Sequence, residues 1–116
     1  MRTLSDCIFC KIITGEIPSK KVYEDDNVYS FCDISPQAPV HILVVPKEHV
    51  SGAAEINSSN SHIVANCFEA ISKIAESEGI GDGFRVITNS GEEGGQTVFH
   101  LHFHILGGTS FSQGLV

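Results

Sequence analysis

The stretch VFHLHFHIL, residues 98–106, restricts the fold more than any other part of the chain. In it His100, His102 and His104 alternate with Phe99, Leu101, Phe103 and Ile105. Successive side chains of a strand point to opposite faces, so the pattern predicts a strand with four apolar side chains on a core and three imidazoles on the other face. At a rise of ~3.3 Å per residue, neighbouring imidazoles stand ~6.6 Å apart and the outer two ~13 Å. A single metal ion, which holds its nitrogen ligands at ~2 Å, does not gather all three from one extended strand. The row suits extended contact with a substrate, and phosphoryl chemistry fits it. A neutral imidazole attacks phosphorus through one nitrogen when a carbonyl fixes the proton on the other, and the covalent product divides one hard substitution into two easier steps. A second imidazole can bind phosphate oxygens or serve the leaving group. The bland alternative, surface or packed histidines without a task, suits one isolated His better than three in strict alternation beside a glycine-rich loop.

The rest of the chain supplies a partner for that strand. Residues 6–14 read as a short helix with Asp6 as N-cap and Gly15 as stop. Residues 21–24 and 28–34 read as a hairpin across Asp25, Asp26 and Asn27, and 41–46 (HILVVP) as a buried strand. Ile63, Cys67, Ile71 and Ile74 recur at helical spacing between the capping Ser58 and Ser59 and the stop at Gly79. Residues 84–89 read as a strand, 90–96 as a glycine-rich loop, and 98–106 as the last strand, ended by Gly107 and Gly108. Three strands, a long helix and two more strands predict an α+β fold with a mainly antiparallel sheet, in one domain spanning residues 1–116. The net charge of −7 argues against a protein that tracks a nucleic-acid backbone. No apolar run is long enough to span a bilayer and no secretory signal opens the chain, so a soluble cytoplasmic protein with no membrane contact is expected. In a reducing compartment Cys7, Cys10, Cys32 and Cys67 are read as metal ligands or buried thiols, not disulfides.

HLHFHIL resembles the His-x-His-x-His-apolar-apolar signature of the histidine triad (HIT) family. The segments DCIFCKII, EDDNVYSFCDISPQAPVHILVVPKEH and NSGEEGGQTVFHLHFHILGG, with the spacing between them, extend the resemblance over almost the whole chain and bring it nearest the Hint branch. The resemblance implies a five-stranded antiparallel sheet with a short N-terminal helix and one long helix, in a homodimer whose sheets continue into one another. It implies a catalytic group of His102, His104, His100 and His41. His102 is the nucleophile, the His100 carbonyl accepts its Nδ1–H, and His104 and His41 lie near the phosphate and its supporting network. Asn89, Gly95 and Thr97 match phosphate contacts, with Thr97 where many members carry Ser. Asp33 matches the ribose acceptor, and Ile8, Phe9, Ile12, Phe31, Ile34 and Leu43 match the base pocket, although unaided those six would be ordinary core residues.

Cys7 and Cys10 supply half of a tetrahedral zinc site, and the resemblance completes it with His49 and His100 as a structural site. The alternative is a pair of reduced, partly buried helix cysteines. Cys32 and Cys67 read as core and His62 as exposed. The implied reaction is cleavage at the α-phosphorus of a purine nucleoside 5′-phosphoramidate or related conjugate, releasing a nucleoside monophosphate without a catalytic cofactor. The alternatives are a dinucleoside polyphosphate hydrolase or nucleotidyl transferase, a nucleotide-binding regulatory protein, and a metal-dependent hydrolase. His104 favours the first reading, since polyphosphate-specific relatives commonly carry Gln there. The tail from Thr109 to Val116 departs from the family's endings and leaves the leaving group open.

Overall fold

The computed structural model describes residues 4–115. Its elements are α1 (Ile8–Ile13), β1 (Lys21–Glu24), β2 (Val28–Cys32), β3 (Val40–Pro46), a short 3-10 turn (Ala53–Glu55), α2 (His62–Ser77), β4 (Arg85–Ile87) and β5 (Phe103–Gly107). The strands form one antiparallel sheet in the order β1-β2-β3-β5-β4. This is the α+β architecture expected from the order of the sequence patterns.

Local chemistry explains the joints. Asp25 Oδ1 accepts the N–H groups of Asn27 and Val28, both at 2.8 Å, and Oδ2 accepts the Tyr23 hydroxyl, so one carboxylate builds the β1–β2 turn. One face of the sheet packs Val28, Ile42, Val44, Phe103 and Ile105 against Ile63, Cys67, Ile71 and Ile74 of α2. The opposite face packs Tyr29, Phe31, Leu43 and Val45 against Phe9 and Ile12 of α1. That small second core includes Phe9, Ile12, Phe31 and Leu43, four of the residues expected to meet a base.

Several expected boundaries move. The cap of α1 is Cys7, whose Sγ accepts the Cys10 N–H at 3.4 Å, instead of Asp6. Ser58 and Ser59 belong to a turn braced by Asn57 and Asn60, and α2 begins at His62. β2 stops at Cys32 and leaves Ile34 98% exposed, because Asp33 Oδ1 bends the chain by accepting the Ser35 N–H. β4 is limited to Arg85–Ile87. The largest correction concerns the histidine segment: β5 begins only at Phe103, so His100 and His102 precede it. There the Leu101 N–H bonds to the Val50 carbonyl at 2.7 Å. Leu101, Phe103 and Ile105 are buried as expected, but Phe99 is half-exposed.

Cys67 is core, Cys32 is only partly buried, and His62 is exposed. The tail folds back on β4, where the Arg85 guanidinium donates to the Ser112 and Gly114 carbonyls and lies 4.7 Å from the Phe111 ring centre. Val116 lies outside the described residues. No helix of the described residues is long and apolar enough to cross a membrane.

Candidate functional site

His102 sits just before β5, 6% exposed, with its Nδ1 2.7 Å from the His100 carbonyl. A carbonyl only accepts, so Nδ1 carries the proton and Nε2 keeps its lone pair. Thr88 at the end of β4 donates its hydroxyl to the His102 carbonyl at 2.8 Å and steadies the same residue from the other side. The Phe9 ring meets the imidazole edge-on at 5.0 Å. Burial holds the His102 pKa below its ordinary value of 6.5, against the opposing pull of the His100 carbonyl and Asp33, so the imidazole is neutral at neutral pH.

A second chain of bonds fixes His104. The Gln37 N–H donates to His41 Nδ1 at 3.0 Å, which makes that nitrogen the acceptor and leaves the His41 proton on Nε2. His41 Nε2 lies 2.9 Å from His104 Nδ1 and 3.4 Å from Asp33 Oδ2. His104 Nδ1 therefore accepts, and His104 Nε2 carries a proton. The two imidazoles, with ring centres 5.2 Å apart, are complementary: His102 offers a lone pair and His104 an N–H. The His104 pKa is also lowered, first by burial and then by His102 and His41.

Both rings open on a cavity of about 410 Å³. Every residue expected to contact nucleotide lines it: Ile8, Phe9, Ile12, Phe31, Asp33, Ile34, Leu43, Asn89, Gly95 and Thr97. Phe9, Ile12, Phe31 and Leu43 are buried and serve the second core as well, whereas Ile8 and Ile34 are exposed rim residues. Cys32 and Val98 also line the cavity, a placement the sequence pattern did not give. His41 and His100 stand behind the lining. A larger hollow of about 630 Å³ lies along α2 and β4, among Phe68, Ile71, Phe84 and Val86, and none of its lining residues is a histidine.

His100 turns away from the cavity and into a different cluster. Its Nδ1 is 3.4 Å from Cys7 Sγ, 3.6 Å from Cys10 Sγ and 3.1 Å from His49 Nδ1, while Cys10 Sγ is 3.5 Å from His49 Nδ1. Metal bonds of ~2.3 Å to sulfur and ~2.05 Å to nitrogen give tetrahedral edges of ~3.6 Å for S···N and ~3.3 Å for N···N, close to these separations. His100 Nε2–H donates to the Pro46 carbonyl at 2.8 Å, so the nitrogen facing the cluster is bare, as a ligand must be. Burial pushes the Cys10 thiol above its ordinary value of 9.0 and pushes His100 down to about 4. A thiolate in that setting needs a cation, and the four residues can hold a metal ion. Asp33, His41 and His104 also converge, but a cation on His41 Nε2 would drive its proton onto the nitrogen that accepts the Gln37 N–H. That trio is a proton-ordered relay, not a metal site.

The sequence reading overlooked two supports: Thr88, and Gln96, which is 4% exposed within the glycine-rich loop. Thr88 reaches the His102 carbonyl, and Gln96 joins the distant Ser51 carbonyl to the nearby Gly91 and Val98, so no sequence motif marks either.

Comparison with known proteins matches residues 14–111 to the HIT domain. The purine nucleoside phosphoramidase of Escherichia coli is 46% identical over 104 residues, covering 89% of this chain and 87% of the relative. A HIT family hydrolase from Clostridium thermocellum superposes with a TM-score of 0.95 at 50% identity, covering 98% of this chain and 100% of the other. A histidine triad protein from Clostridium difficile gives 0.93 at 51% identity, covering 97% and 98%. With the family domain covering most of the chain and the whole fold shared at half identity, the protein belongs to the HIT family.

Proposed function

We propose that the protein hydrolyses purine nucleoside 5′-phosphoramidates, or related nucleotidyl conjugates, at the α-phosphorus through a covalent nucleotidyl-His102 intermediate. One observation carries the reading: a neutral imidazole with a bare Nε2 and an imidazole presenting an N–H share one cavity. The phosphoramidase relative supports the choice of substrate.

The base lies among Phe9, Ile12, Phe31 and Leu43, with the ribose hydroxyls on Asp33 and the phosphate near Asn89, Gly95, Thr97 and His104. The Nε2 electron pair of His102 forms a bond to phosphorus as the bond to the amine nitrogen breaks; the departing nitrogen takes a proton from solvent and leaves as the free amine, and the water of the second step returns that proton to solvent. His102 then carries positive charge, which the His100 carbonyl stabilises through Nδ1–H. His104 Nε2–H donates to a phosphate oxygen that gains charge in the transition state. Water displaces the imidazole, releasing the nucleoside monophosphate and restoring the lone pair.

Cys7, Cys10, His49 and His100 would hold zinc, which would neutralise the two thiolates in a structural role. His100 belongs to both systems, its side chain to the cluster and its carbonyl to His102. The catalytic cavity itself needs no cofactor for this chemistry. A homodimer through the edge strand β4 fits its short ladder and the adjoining groove with its half-exposed Phe68. The net charge of −7 disfavours nucleic acid as partner, and four cysteines that form no disulfide with one another suit the reducing cytoplasm.

Among the residues lining the cavity there is no Lys or Arg, which disfavours a polyphosphate leaving group. The test incubates the protein and His102→Ala with adenosine 5′-phosphoramidate and follows AMP release, with circular dichroism as the fold control. Turnover by the parent alone supports the reading; equal turnover by both removes His102 as nucleophile.

A further inference from the structure

All the polar atoms of the buried Gln96 amide are engaged. Oε1 accepts the Gly91 N–H at 2.9 Å, and Nε2 donates to the carbonyls of Ser51 at 2.6 Å and Val98 at 3.0 Å. The Gln96 backbone N–H closes on the Gly91 carbonyl at 3.0 Å. One side chain thus ties together the start of the glycine-rich loop, the segment that leads into His100, and the segment that follows β3.

The third of these pieces has other attachments. His49 belongs to the cysteine–histidine cluster, and the Val50 carbonyl holds the Leu101 N–H at 2.7 Å. Space beside the amide is also reserved: a Cβ on Gly52 would lie 3.0 Å from Gln96 Oε1 and 3.4 Å from Nε2. Gly52 has an extended φ of −177°, which any residue adopts, so the contact with the amide is what restricts the position. Gln96 does not line the cavity, whereas its neighbours Gly95 and Thr97 do.

We infer that Gln96 is a positioning residue whose amide braces the 91–95 loop so that Gly95 and Thr97 meet the 5′-phosphate of the nucleotide, without itself touching the ligand. The inference rests on the proposed nucleotide site. Its signature is selectivity: the brace acts on the phosphate subsite and leaves the base and ribose contacts alone.

Calorimetric titration with AMP and with adenosine reads that signature without any turnover. Gln96→Ala is expected to weaken AMP about tenfold, the scale of a lost buried hydrogen-bond set, and adenosine less than about twofold. Gln96→Glu keeps the shape but sets a carboxylate against two carbonyls, so it should follow Gln96→Ala and not the parent. Gly52→Ala should produce a smaller loss in AMP affinity that vanishes in the Gln96→Ala background, where nothing remains for the new methyl to displace. Equal weakening of AMP and adenosine, parental behaviour of Gln96→Glu, or full additivity of the Gly52 and Gln96 changes would each overturn the inference. Turnover of adenosine 5′-phosphoramidate by the parent is measured separately, so a wrong substrate assignment is distinguishable from a wrong role for Gln96.

Discussion

His100 and His102 stand two residues apart on the irregular segment before β5, yet they use opposite nitrogens. His100 carries its proton on Nε2, donated to the Pro46 carbonyl, and turns a bare Nδ1 toward two cysteines and His49. His102 carries its proton on Nδ1, donated to the His100 carbonyl, and turns a bare Nε2 toward the cavity. Which nitrogen does chemistry is therefore set by which backbone carbonyl lies within reach, not by the residue type. The cluster and the cavity share one wall, the Phe9 ring, edge-on to His100 at 6.0 Å and to His102 at 5.0 Å. They also share one joint, the His100 peptide.

The contrast is broken most severely on the cavity side. His102→Ala should reduce kcat/KM for adenosine 5′-phosphoramidate by at least ~10⁴-fold while leaving the melting temperature near that of the parent, because the nucleophile has no substitute. Rapid-quench analysis should detect a nucleotidyl-protein adduct in the parent and none in the variant.

On the cluster side the same logic predicts the reverse. Cys10→Ala, at a site 1% exposed, should destabilise the fold by roughly 3 kcal/mol or more, the scale of losing a structural metal ligand. Chelation should act in the same direction in the parent. Urea unfolding with and without chelator measures the loss, and the folded fraction should still turn over. Abolished chemistry in a chain that stays fully folded would assign the metal to the reaction.

How much of this was readable beforehand follows from where the information lies. The alternation of histidines with Leu101, Phe103 and Ile105, and the helical recurrence of Ile63, Cys67, Ile71 and Ile74, are written in neighbouring residues, so the strand, the helix and the layer order were legible. The division of the histidine row was not. It depends on Val50 accepting the Leu101 N–H and on Pro46 accepting from His100, contacts across the chain that end the ladder at Phe103. Composition favoured Asp6 as the cap of α1, but a thiol aimed at the cluster took that position. His49 was found only by resemblance, because no local pattern joins it to the cysteine pair.

His104→Gln sharpens the comparison inside the cavity and should cost about 10²-fold in kcat/KM, the range of a positioned proton donor. Its pH behaviour carries more information. Burial lowers the His104 pKa below 6.5, and protonation would set an N–H on Nδ1 against the His41 Nε2–H. A histidine whose folded pKa is depressed contributes stability that is fully present above its unfolded value and is lost as pH falls through the folded one. Activity should decline in the same window. His102 is lowered too, so the acid limb of log kcat/KM should fall with a slope of about two in the parent and about one in His104→Gln.

The smallest test separates the two neighbourhoods most finely. Thr88 touches the histidine segment only from the β4 side, through a 2.8 Å hydrogen bond to the His102 carbonyl. Thr88→Val keeps the shape and deletes that bond, which should cost about 1 kcal/mol of stability. Turnover should fall a few-fold, because the Nδ1 bond to His100 still fixes the His102 tautomer. Metal retention should not change: His100 is held by Pro46 and by the cluster, neither of which Thr88 contacts. A measured loss of metal affinity as large as the loss of activity would mean that strain at His102 passes through the shared peptide into His100, and that cluster and cavity are one mechanical unit.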